Sequence, residues 1–399
     1  PFDEDDVEAG LLNRGYGNAS KCQLSKQVTG NLRKNLKEWK SAGAPSWILK
    51  ALKVGASIPF IDHKWPPRHF NKNNCIPADL RTWTRSAVVE MLHFKAIRVA
   101  TKNPWVVCPL VVSLKPSSTP EKPKYRLCHN LKWLNDFVRP MPFKLDSVKD
   151  FGSQLSQDDG MINIDMESGY FHMEVEEKYR CLLGFEFEGK YYEFCCLHFG
   201  LRCSTACFQA ATSFCTNFIA KKFGLKSNCY IDDVAFAHNS SVLSQSAANL
   251  IPLQFEKFGW LINQEKSCTV ISTCITLLGF IVDSSLMEYR VPDKRKAKML
   301  SAALEVSTPR KHVSARLIQR VAGHINSLSL ALGVVCRLRS RYMLLACRPA
   351  CISENWDAPV VLSEQVLAEV SWWIRNLSSI RPRRIDAFLR KPRSVATVS

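Results

Sequence analysis

The spacing of apolar residues predicts a chain that begins with helices and then alternates strands with helices. Between residues 31 and 61, apolar positions such as Trp39, Ile48 and Leu52 recur at helical spacing, with basic residues between them. A further amphipathic helix is predicted over residues 81–96. The N-terminal part of the fold is therefore expected to be helical.

Short apolar runs separated by turn signals predict strands in the next part of the chain. Residues 104–114 are β-branched and continuous, which predicts one buried strand, and residues 124–130 predict a second. The pair Glu188-Gly189 lies between two further runs and predicts a hairpin turn. The pair Asp232-Asp233 also lies between short apolar runs, as at the tip of another tight hairpin.

Longer helical patterns follow these strands, over residues 204–223, 244–258 and 294–348. The last of these segments contains twelve lysines and arginines but a single acidic residue, Glu305. A charge run is usually a solvated face, but a run of one sign between apolar positions favours contact with a polyanion.

The composition excludes a largely disordered chain and indicates an anionic partner. Hydrophobic residues make up 46% of the 399 positions, enough for a large buried core. The chain has 54 lysines and arginines against 36 acidic residues, a net charge of +18. That excess favours nucleic acid or an anionic membrane surface as the partner. No apolar run is long enough to span a bilayer. Residues 1–30 are expected to form a flexible acidic and polar tail.

The sixteen cysteines are expected to be reduced structural thiols in an intracellular compartment. No CxxC pair occurs, and most of the cysteines lie in apolar runs. Two pairs have helical spacing but lack histidine partners at zinc-site spacing, namely Cys203 with Cys207 and Cys347 with Cys351. Because the chain begins at Pro1 without an initiator methionine, it is expected to be a fragment of a longer protein.

Three carboxylates are the candidate catalytic groups of the chain. Asp165 ends the apolar run over residues 161–166, and it can meet Asp232 and Asp233 if the strands are neighbours in one sheet. Converging carboxylates repel one another, so they either protonate or hold a cation, and hard oxygen ligands favour Mg²⁺ or Mn²⁺. Two such ions form the usual clamp for phosphoryl transfer. The alternative is that an Asp-Asp pair in a hairpin is ordinary turn chemistry.

At these positions the sequence resembles reverse transcriptases, and the motifs of that family occur in the family's order. Tyr230–Asp233 is similar to the YxDD box, and Asp165–His172 to the first metal-binding motif. The remaining motifs are similar to the PFGL-type motif (Leu197–Phe208), the following lysine motif (Asn263–Ser267), the primer grip (Leu277–Ser284) and the fingers strand pair (Val111–Pro116 and Lys124–Asn135). The flanking segments Trp39–Phe60 and Val313–Gly333 resemble those of DIRS-type, tyrosine-recombinase retrotransposons.

The resemblance implies an α+β fold of the right-hand polymerase type, with fingers, palm and thumb and an antiparallel palm sheet backed by helices. The implied division is an N-terminal helical extension (31–100), fingers (101–160 and 173–203), palm (161–172 and 204–285), thumb (286–350) and a connection-like segment (351–399). That last segment would lead to an RNase H domain outside this chain.

The resemblance also implies roles for individual residues. Two Mg²⁺ or Mn²⁺ ions would be bound by the carboxylates of Asp165, Asp232 and Asp233 and by the backbone carbonyl of Met166. Lys266 would donate a proton to the pyrophosphate leaving group. The residues expected to contact the incoming nucleotide are Lys115, Lys124, Arg126, Met166, Tyr170, Phe199 and Gly200, with Tyr170 as the gate against the ribose 2′-OH. The residues expected to contact nucleic acid are Leu278, Gly279, Phe280, Arg316 and Arg320.

Some positions depart from the pattern of the family. His198 replaces the usual proline before Phe-Gly, the run Cys203–Thr205 replaces a Ser/Ala/Pro run, Cys128-His129 stands where an aspartate is common, and Glu167 where lysine or aspartate is common.

The implied function is RNA-directed DNA synthesis, in which a primer 3′-OH on an RNA or DNA template is extended with dNTPs. The partners would be a template–primer and a dNTP, with no membrane, in the cytoplasm, the nucleus or both. Two alternatives remain at this point: a catalytically inactive protein of the same fold that binds nucleic acid, and a metal-dependent nuclease. The sequence does not indicate an oligomeric state.

Overall fold

The computed structural model of the protein describes residues 27–71, 76–115, 123–308 and 313–385. Three expectations fall wholly or partly outside these residues: most of the tail over 1–30, the loop joining the two fingers strands, and the end of the connection-like segment. Within the described residues, no helix has the length and apolar character needed to cross a membrane.

The secondary structure alternates helices and strands through most of the described chain. The α-helices are α1 (Asn31–Lys34), α2 (Leu36–Ser41), α3 (Ser46–Val54), α4 (Ala78–His93), α5 (Lys132–Asn135), α6 (Val148–Gly152), α7 (Glu177–Arg180), α8 (Ser204–Phe223), α9 (Gln245–Lys257), α10 (Asp293–Ser307), α11 (Ala315–Ser327), α12 (Ser329–Leu332), α13 (Val335–Leu338), α14 (Arg341–Ala346), α15 (Arg348–Ile352) and α16 (Glu364–Asn376).

The strands belong to several separate sheets. They are β1 (His69–Phe70), β2 (Ile97–Val99), β3 (Val106–Val107), β4 (Leu110–Leu114), β5 (Tyr125–His129), β6 (Gly160–Asp165), β7 (Gly184–Phe187), β8 (Lys190–Phe194), β9 (Lys226–Tyr230), β10 (Asp233–His238), β11 (Cys268–Ser272), β12 (Cys274–Leu277), β13 (Phe280–Asp283), β14 (Glu288–Arg290), β15 (Val313–Ser314), β16 (Pro359–Val360) and β17 (Arg383–Arg384). The chain divides into two compact units, each described separately below.

The first unit comprises residues 1–145, 165–219 and 250–266. It contains a five-stranded sheet in the order β1-β3-β7-β8-β2, in which β3 pairs in parallel with both β1 and β7 and the other pairs are antiparallel. The predicted turn between β7 and β8 is confirmed, because Glu188 and Gly189 both have positive φ values, 52° and 74°, as a type I′ hairpin requires.

The prediction of one buried strand over residues 104–114 is wrong. The structure has β3 in the five-stranded sheet and β4 in a separate ribbon with β5, and the break falls at Cys108 and Pro109. Proline has no N–H to donate to a ladder, so it ends one pairing before the next begins. The end of the run is also not buried, because Leu114 is 62% exposed.

The predicted N-terminal helices are present as α1, α2 and α3, and they belong to the core of the first unit. Trp39 on α2 is fully buried, and its indole N–H donates a 2.9 Å hydrogen bond to the carbonyl of Phe258. Its ring packs on those of Phe214, Phe258 and Trp260. At Gly259, a Cβ would lie 2.5 Å from the carbonyl oxygen of Asn31, so the two segments approach too closely for any side chain.

The second unit comprises residues 146–164, 220–249 and 267–399. One of its sheets has the order β11-β6-β10-β9, and the pairs β11–β6 and β9–β10 are antiparallel. A second sheet has the order β12-β13-β14-β17 and is antiparallel throughout. Helices α10, α11, α14 and α16 pack on one another around Trp373, which is fully buried. The division into fingers, palm and thumb stays a prediction.

Candidate active site

Asp165 lies in the first unit beside the segment that carries Lys266. The backbone carbonyl of Asp165 accepts a 2.9 Å hydrogen bond from the N–H of Asn263, and Met166 forms an antiparallel bridge with Ile262. These backbone contacts bring the Lys266 Nζ to 3.4 Å from Asp165 Oδ1. The Asp165 side chain is largely buried, with 15% exposure, whereas that of Lys266 is 67% exposed. Two predicted residues that are distant in sequence are thus in contact.

Three of the predicted nucleotide-binding residues form a continuous row in the first unit. The guanidinium of Arg126 lies 4.6 Å above the ring of Phe199, and that ring meets Tyr170 edge to face at 4.9 Å. Tyr170 is 8% exposed, whereas Phe199 is 45% exposed. The Tyr170 hydroxyl shares a 2.8 Å hydrogen bond with the hydroxyl of Thr205. Sequence reasoning missed the role of Thr205, although it lies in the run that departs from the pattern of the family.

Gly200 is required by the close approach of two backbone segments. Its φ is +109°, and a Cβ there would lie 2.2 Å from the carbonyl oxygen of His129. Asn135 Nδ2 donates a 2.7 Å hydrogen bond to the Gly200 carbonyl, and Asn135 Oδ1 accepts one from the N–H of Arg202. The loop that follows Phe199 is therefore held against α5.

Lys115 and Lys124 lie at the open end of the β4–β5 ribbon, where the Lys115 N–H donates a 2.7 Å hydrogen bond to the Lys124 carbonyl. Both residues are exposed. The loop between them lies outside the described residues, so their roles stay a prediction. Burial raises the pKa of the Glu90 carboxyl, and the negative charge of Glu167 adds to this rise. The positive charge of Lys115 partly offsets it.

Two of the departures from the pattern of the family, His129 and His198, are packed against each other. Their rings are fully buried, and His129 Nδ1 lies 3.1 Å from His198 Nε2. The other ring nitrogens face the carbonyls of Gly184 and Cys196, at 3.1 and 3.2 Å. Burial lowers the pKa of His129 to about 4 and that of His198 well below its ordinary value. The two histidines replace the usual residues as one hydrogen-bonded pair.

His172 joins the first metal-binding motif to a neighbouring segment of the first unit. Its Nε2 accepts a 3.0 Å hydrogen bond from the N–H of Leu261, so its Nδ1 carries the proton and donates to the carbonyl of Gly169 at 3.0 Å. Burial lowers the pKa of His172 to about 4. The imidazole is therefore neutral in the folded protein at neutral pH.

We expect His172 to make the protein less stable in acid. Its ordinary pKa of 6.5 means that the unfolded chain takes up a proton below that pH, whereas the folded chain does so only near pH 4. The contribution of His172 to the free energy of unfolding is therefore fully present above pH 6.5. It falls by about 3 kcal/mol between pH 6.5 and 4. Thermal unfolding across this range measures the slope, which His172→Gln should flatten. Equal flattening by the same change at the exposed His93 would contradict the assignment.

Asp232 and Asp233 lie in the second unit, at the hairpin between β9 and β10. Asp233 pairs with Tyr230, and Ile231 adopts a left-handed backbone conformation with φ 58°, which confirms the predicted tight turn. The hairpin rests on the segment before α6, because the Cys229 N–H donates a 3.1 Å hydrogen bond to Asp146 Oδ2.

The candidate metal ligands share one donor type. The carboxylates of Asp165, Asp232 and Asp233 and the carbonyl of Met166 are all hard oxygen donors, which fit Mg²⁺ or Mn²⁺ and not a soft metal. In the part of the chain that the structure describes, no cluster of three or more His, Cys, Asp or Glu side chains could hold a metal. The fourteen described cysteines are all free thiols, and three of them, Cys268, Cys274 and Cys351, are exposed.

The predicted primer grip is a two-residue turn between β12 and β13. Leu278 and Gly279 have positive φ values of 47° and 77°, and Leu277 pairs with Phe280 across the turn. Arg295 on α10 donates a 2.7 Å hydrogen bond to the Gly279 carbonyl. Sequence reasoning did not single out this arginine.

The two arginines predicted to contact nucleic acid are ion-paired in the structure. Arg316 makes two hydrogen bonds to Asp357, at 2.8 and 2.9 Å, and Arg320 pairs with Glu305. These pairs are exposed, so they contribute little to stability. Nearby, the pKa of His324 is lowered, first by burial and then by Lys298, Arg320 and Arg295, which indicates a positive surface.

Comparison with known proteins identifies a domain in the central part of the chain. Residues 112–282 match the family model described as "Reverse transcriptase (RNA-dependent DNA polymerase)". The chain is 25% identical over 223 residues to the Retrovirus-related Pol polyprotein from transposon gypsy of Drosophila melanogaster, a match that covers 53% of this chain and 21% of that protein. It is 24% identical over 222 residues to the corresponding polyprotein from transposon 297 of the same organism, covering 52% and 20%. The chain thus spans about a fifth of the length of these relatives.

Solved structures share the fold at low sequence identity. The foamy viral protease-reverse transcriptase dRH in complex with double-stranded DNA has a TM-score of 0.63 and 14% identity, covering 88% of this chain and 61% of that one. The foamy viral protease-reverse transcriptase in complex with RNA/DNA hybrid has a TM-score of 0.62 and 14% identity, covering 87% and 46%. The predicted α+β fold of the right-hand polymerase type is confirmed. No comparison tests the DIRS-type subgroup, which stays a prediction.

Proposed function

We propose that this chain, whose residues 112–282 form a reverse transcriptase domain, is an RNA-directed DNA polymerase that extends a primer 3′-OH with dNTPs and releases pyrophosphate. The observation that carries the proposal is the contact between Asp165 and Lys266. It joins a carboxylate suited to bind a divalent cation to an ammonium group suited to protonate a leaving group, and these are two separate requirements of nucleotidyl transfer.

The proposed metal ligands are the carboxylates of Asp165, Asp232 and Asp233 and the carbonyl of Met166, as the resemblance implies. Two bound divalent cations would activate the primer 3′-OH and neutralise charge on the phosphates. Asp165 and Asp232 would bind both ions, and Asp233 would support them. The exposed Lys266 would then hold its proton for the departing pyrophosphate.

The nucleotide would lie against the row formed by Arg126, Phe199 and Tyr170. Arg126, together with Lys115 and Lys124, would bind the triphosphate, while Phe199 and the backbone at Gly200 would contact the nucleotide. A sugar placed beside Tyr170 would meet a ring that is held by its hydrogen bond to Thr205 and by packing on Phe208. A rigid ring at this place would exclude a 2′-OH on steric grounds.

We expect Tyr170→Ala to weaken the discrimination against ribonucleotides. Removing the ring opens space for the 2′-OH, so the ratio of kcat/KM for dNTP to that for rNTP should fall roughly 100-fold. Tyr170→Phe keeps the ring and should retain most of the discrimination. Because the measurement is a ratio, a general loss of activity does not affect it. An unchanged ratio in Tyr170→Ala would show that Tyr170 does not exclude ribonucleotides.

The template–primer would be held by the second unit. The turn residues Leu278, Gly279 and Phe280 would contact the primer, and Arg316 and Arg320 would contact the backbone of the duplex. Phosphates would then replace Asp357 and Glu305 as the partners of these arginines, a salt-dependent exchange. We also infer an origin in a DIRS-type element and an intracellular location, in the cytoplasm, the nucleus or both.

A primer-extension assay tests the proposed function. An RNA template annealed to a DNA primer should be extended in the presence of Mg²⁺ and all four dNTPs, and chelation with EDTA should stop the reaction. Salt-sensitive binding of the same hybrid without extension would instead identify an inactive nucleic-acid-binding protein. Cleavage of the template without consumption of dNTP would identify a nuclease.

A further inference from the structure

The side chain of Arg295 connects three separate elements of the second unit. Its Nη1 donates to the Gly279 carbonyl at 2.7 Å, in the turn between β12 and β13. Its Nη2 donates to both the carbonyl and the hydroxyl of Ser327, at 3.2 and 3.0 Å. Arg295 itself lies in the first turn of α10, and Ser327 is the last residue of α11. One guanidinium therefore joins a β-turn to the ends of two helices.

The contact at the turn restricts the orientation of the turn. The Gly279 carbonyl lies outside the ladder between β12 and β13, and the partner that the structure gives it is the Arg295 guanidinium. The guanidinium also lies 4.6 Å above the ring of Phe280, the residue that follows the turn. Arg295 thus contacts two of the three residues that we propose to hold the primer.

The contact with α11 gives a hydrogen-bond donor to the carbonyl of Ser327 at the C-terminal end of that helix. The last carbonyls of a helix have no partner within the helix, and an arginine there is favourable for the helix dipole. Arg295 is only partly exposed, and burial lowers its pKa. Among the described residues, the Arg295 guanidinium contacts the carbonyl of Gly279, the carbonyl and hydroxyl of Ser327 and the ring of Phe280. None of these groups is a carboxylate. Ion pairing therefore does not explain why a cation is placed here.

We propose that Arg295 is a positioning residue that fixes the Leu278-Gly279 turn, and with it the primer 3′ end, relative to helices α10 and α11. The proposal rests on the proposed function, because the turn has a primer to position only in a polymerase. The guanidinium does not touch the reacting atoms. Its loss would leave the duplex bound while the 3′-OH is held less accurately, so the rate of the chemical step would fall more than the affinity.

The kinetic test compares Arg295→Met with Lys294→Met, which removes the same charge from an exposed neighbour in the same basic segment and therefore accounts for any general loss of attraction to the nucleic acid. In Arg295→Met, kcat for primer extension should fall about tenfold or more, because three charged hydrogen bonds, to Gly279 and Ser327, are lost. The KM for template–primer should stay within about twofold of that of Lys294→Met. Arg295→Lys, which keeps the charge but not the fork of donors, should recover only part of the rate. A rise in KM with unchanged kcat would overturn the proposal in favour of a simple phosphate contact.

A second measurement uses the full chain without substrate. Amide hydrogen exchange at residues 277–281 should be about tenfold faster in Arg295→Met than in Lys294→Met or the wild type. An unchanged exchange rate at the turn would show that Arg295 does not hold the turn, even if kcat for primer extension falls. If the wild type extends no primer, the proposed function fails, while faster exchange in Arg295→Met would still establish the clamp on the turn. The two failures are therefore distinguishable.

Discussion

Replacing Asp232 by asparagine is expected to lower the rate of dNTP incorporation roughly a thousandfold or more, which corresponds to about 4 kcal/mol of transition-state stabilisation. An amide is neutral and binds a divalent cation far less well than a carboxylate, so the charge that develops on the phosphates would be left without compensation. Single-turnover primer extension with Mg²⁺ measures the effect on the chemical step alone.

The matched control is Asp293→Asn, which removes a carboxylate whose side chain is 98% exposed at the start of α10. This variant should extend primers at the rate of the wild type. Asp232→Asn should still bind an RNA–DNA hybrid, because the proposed contacts with the backbone of the duplex involve other residues. If Asp232→Asn incorporates dNTP as fast as the wild type, the two-metal mechanism is wrong.

Replacing Trp39 by alanine is expected to lower the free energy of unfolding of the first unit by about 3–5 kcal/mol. The ring is fully buried among Phe214, Phe258 and Trp260, so its removal leaves a cavity. The carbonyl of Phe258 also loses the donor at 2.9 Å. Urea denaturation followed by circular dichroism measures the change.

Trp47→Ala provides the comparison for this prediction. Trp47 lies on α3 and is 49% exposed, so the same change of residue should cost about 1 kcal/mol or less. Equal losses for the two variants would mean that helices α1 to α3 do not share the core of the first unit.

The parts of the fold that depend on local chemistry could be predicted from the sequence. The two hairpins, between β7 and β8 and between β9 and β10, can be predicted because turn residues act within a few positions of one another, although the second turn consists of Ile231 and Asp232, with Asp233 already paired to Tyr230. The continuous apolar pattern of residues 104–114 predicts a single strand. Hydrophobic pattern alone does not say which sheet a strand joins, and Pro109 divides this run between two sheets.

The candidate site could be predicted where it follows a motif and not where it depends on distant packing. Asp165 and Lys266 belong to two motifs that the resemblance predicts to share one site, and their side chains lie 3.4 Å apart. Thr205 and Arg295 were missed because each acts on a residue that lies far away in the sequence, 35 residues from Thr205 to Tyr170 and 16 from Arg295 to Gly279. Such contacts leave no periodic signal in one sequence.

The packing of His129 against His198 has a consequence for how this chain can change. Three ring contacts are made by two neutral imidazoles that carry only two N–H protons, so at most two of these contacts are hydrogen bonds at one time, and the position of the proton on one ring constrains its position on the other. Replacing His198 by proline alone would remove the ring that lies 3.1 Å from His129 Nδ1. The two positions are therefore coupled, because a change at either one alters the hydrogen bonding that is open to the other.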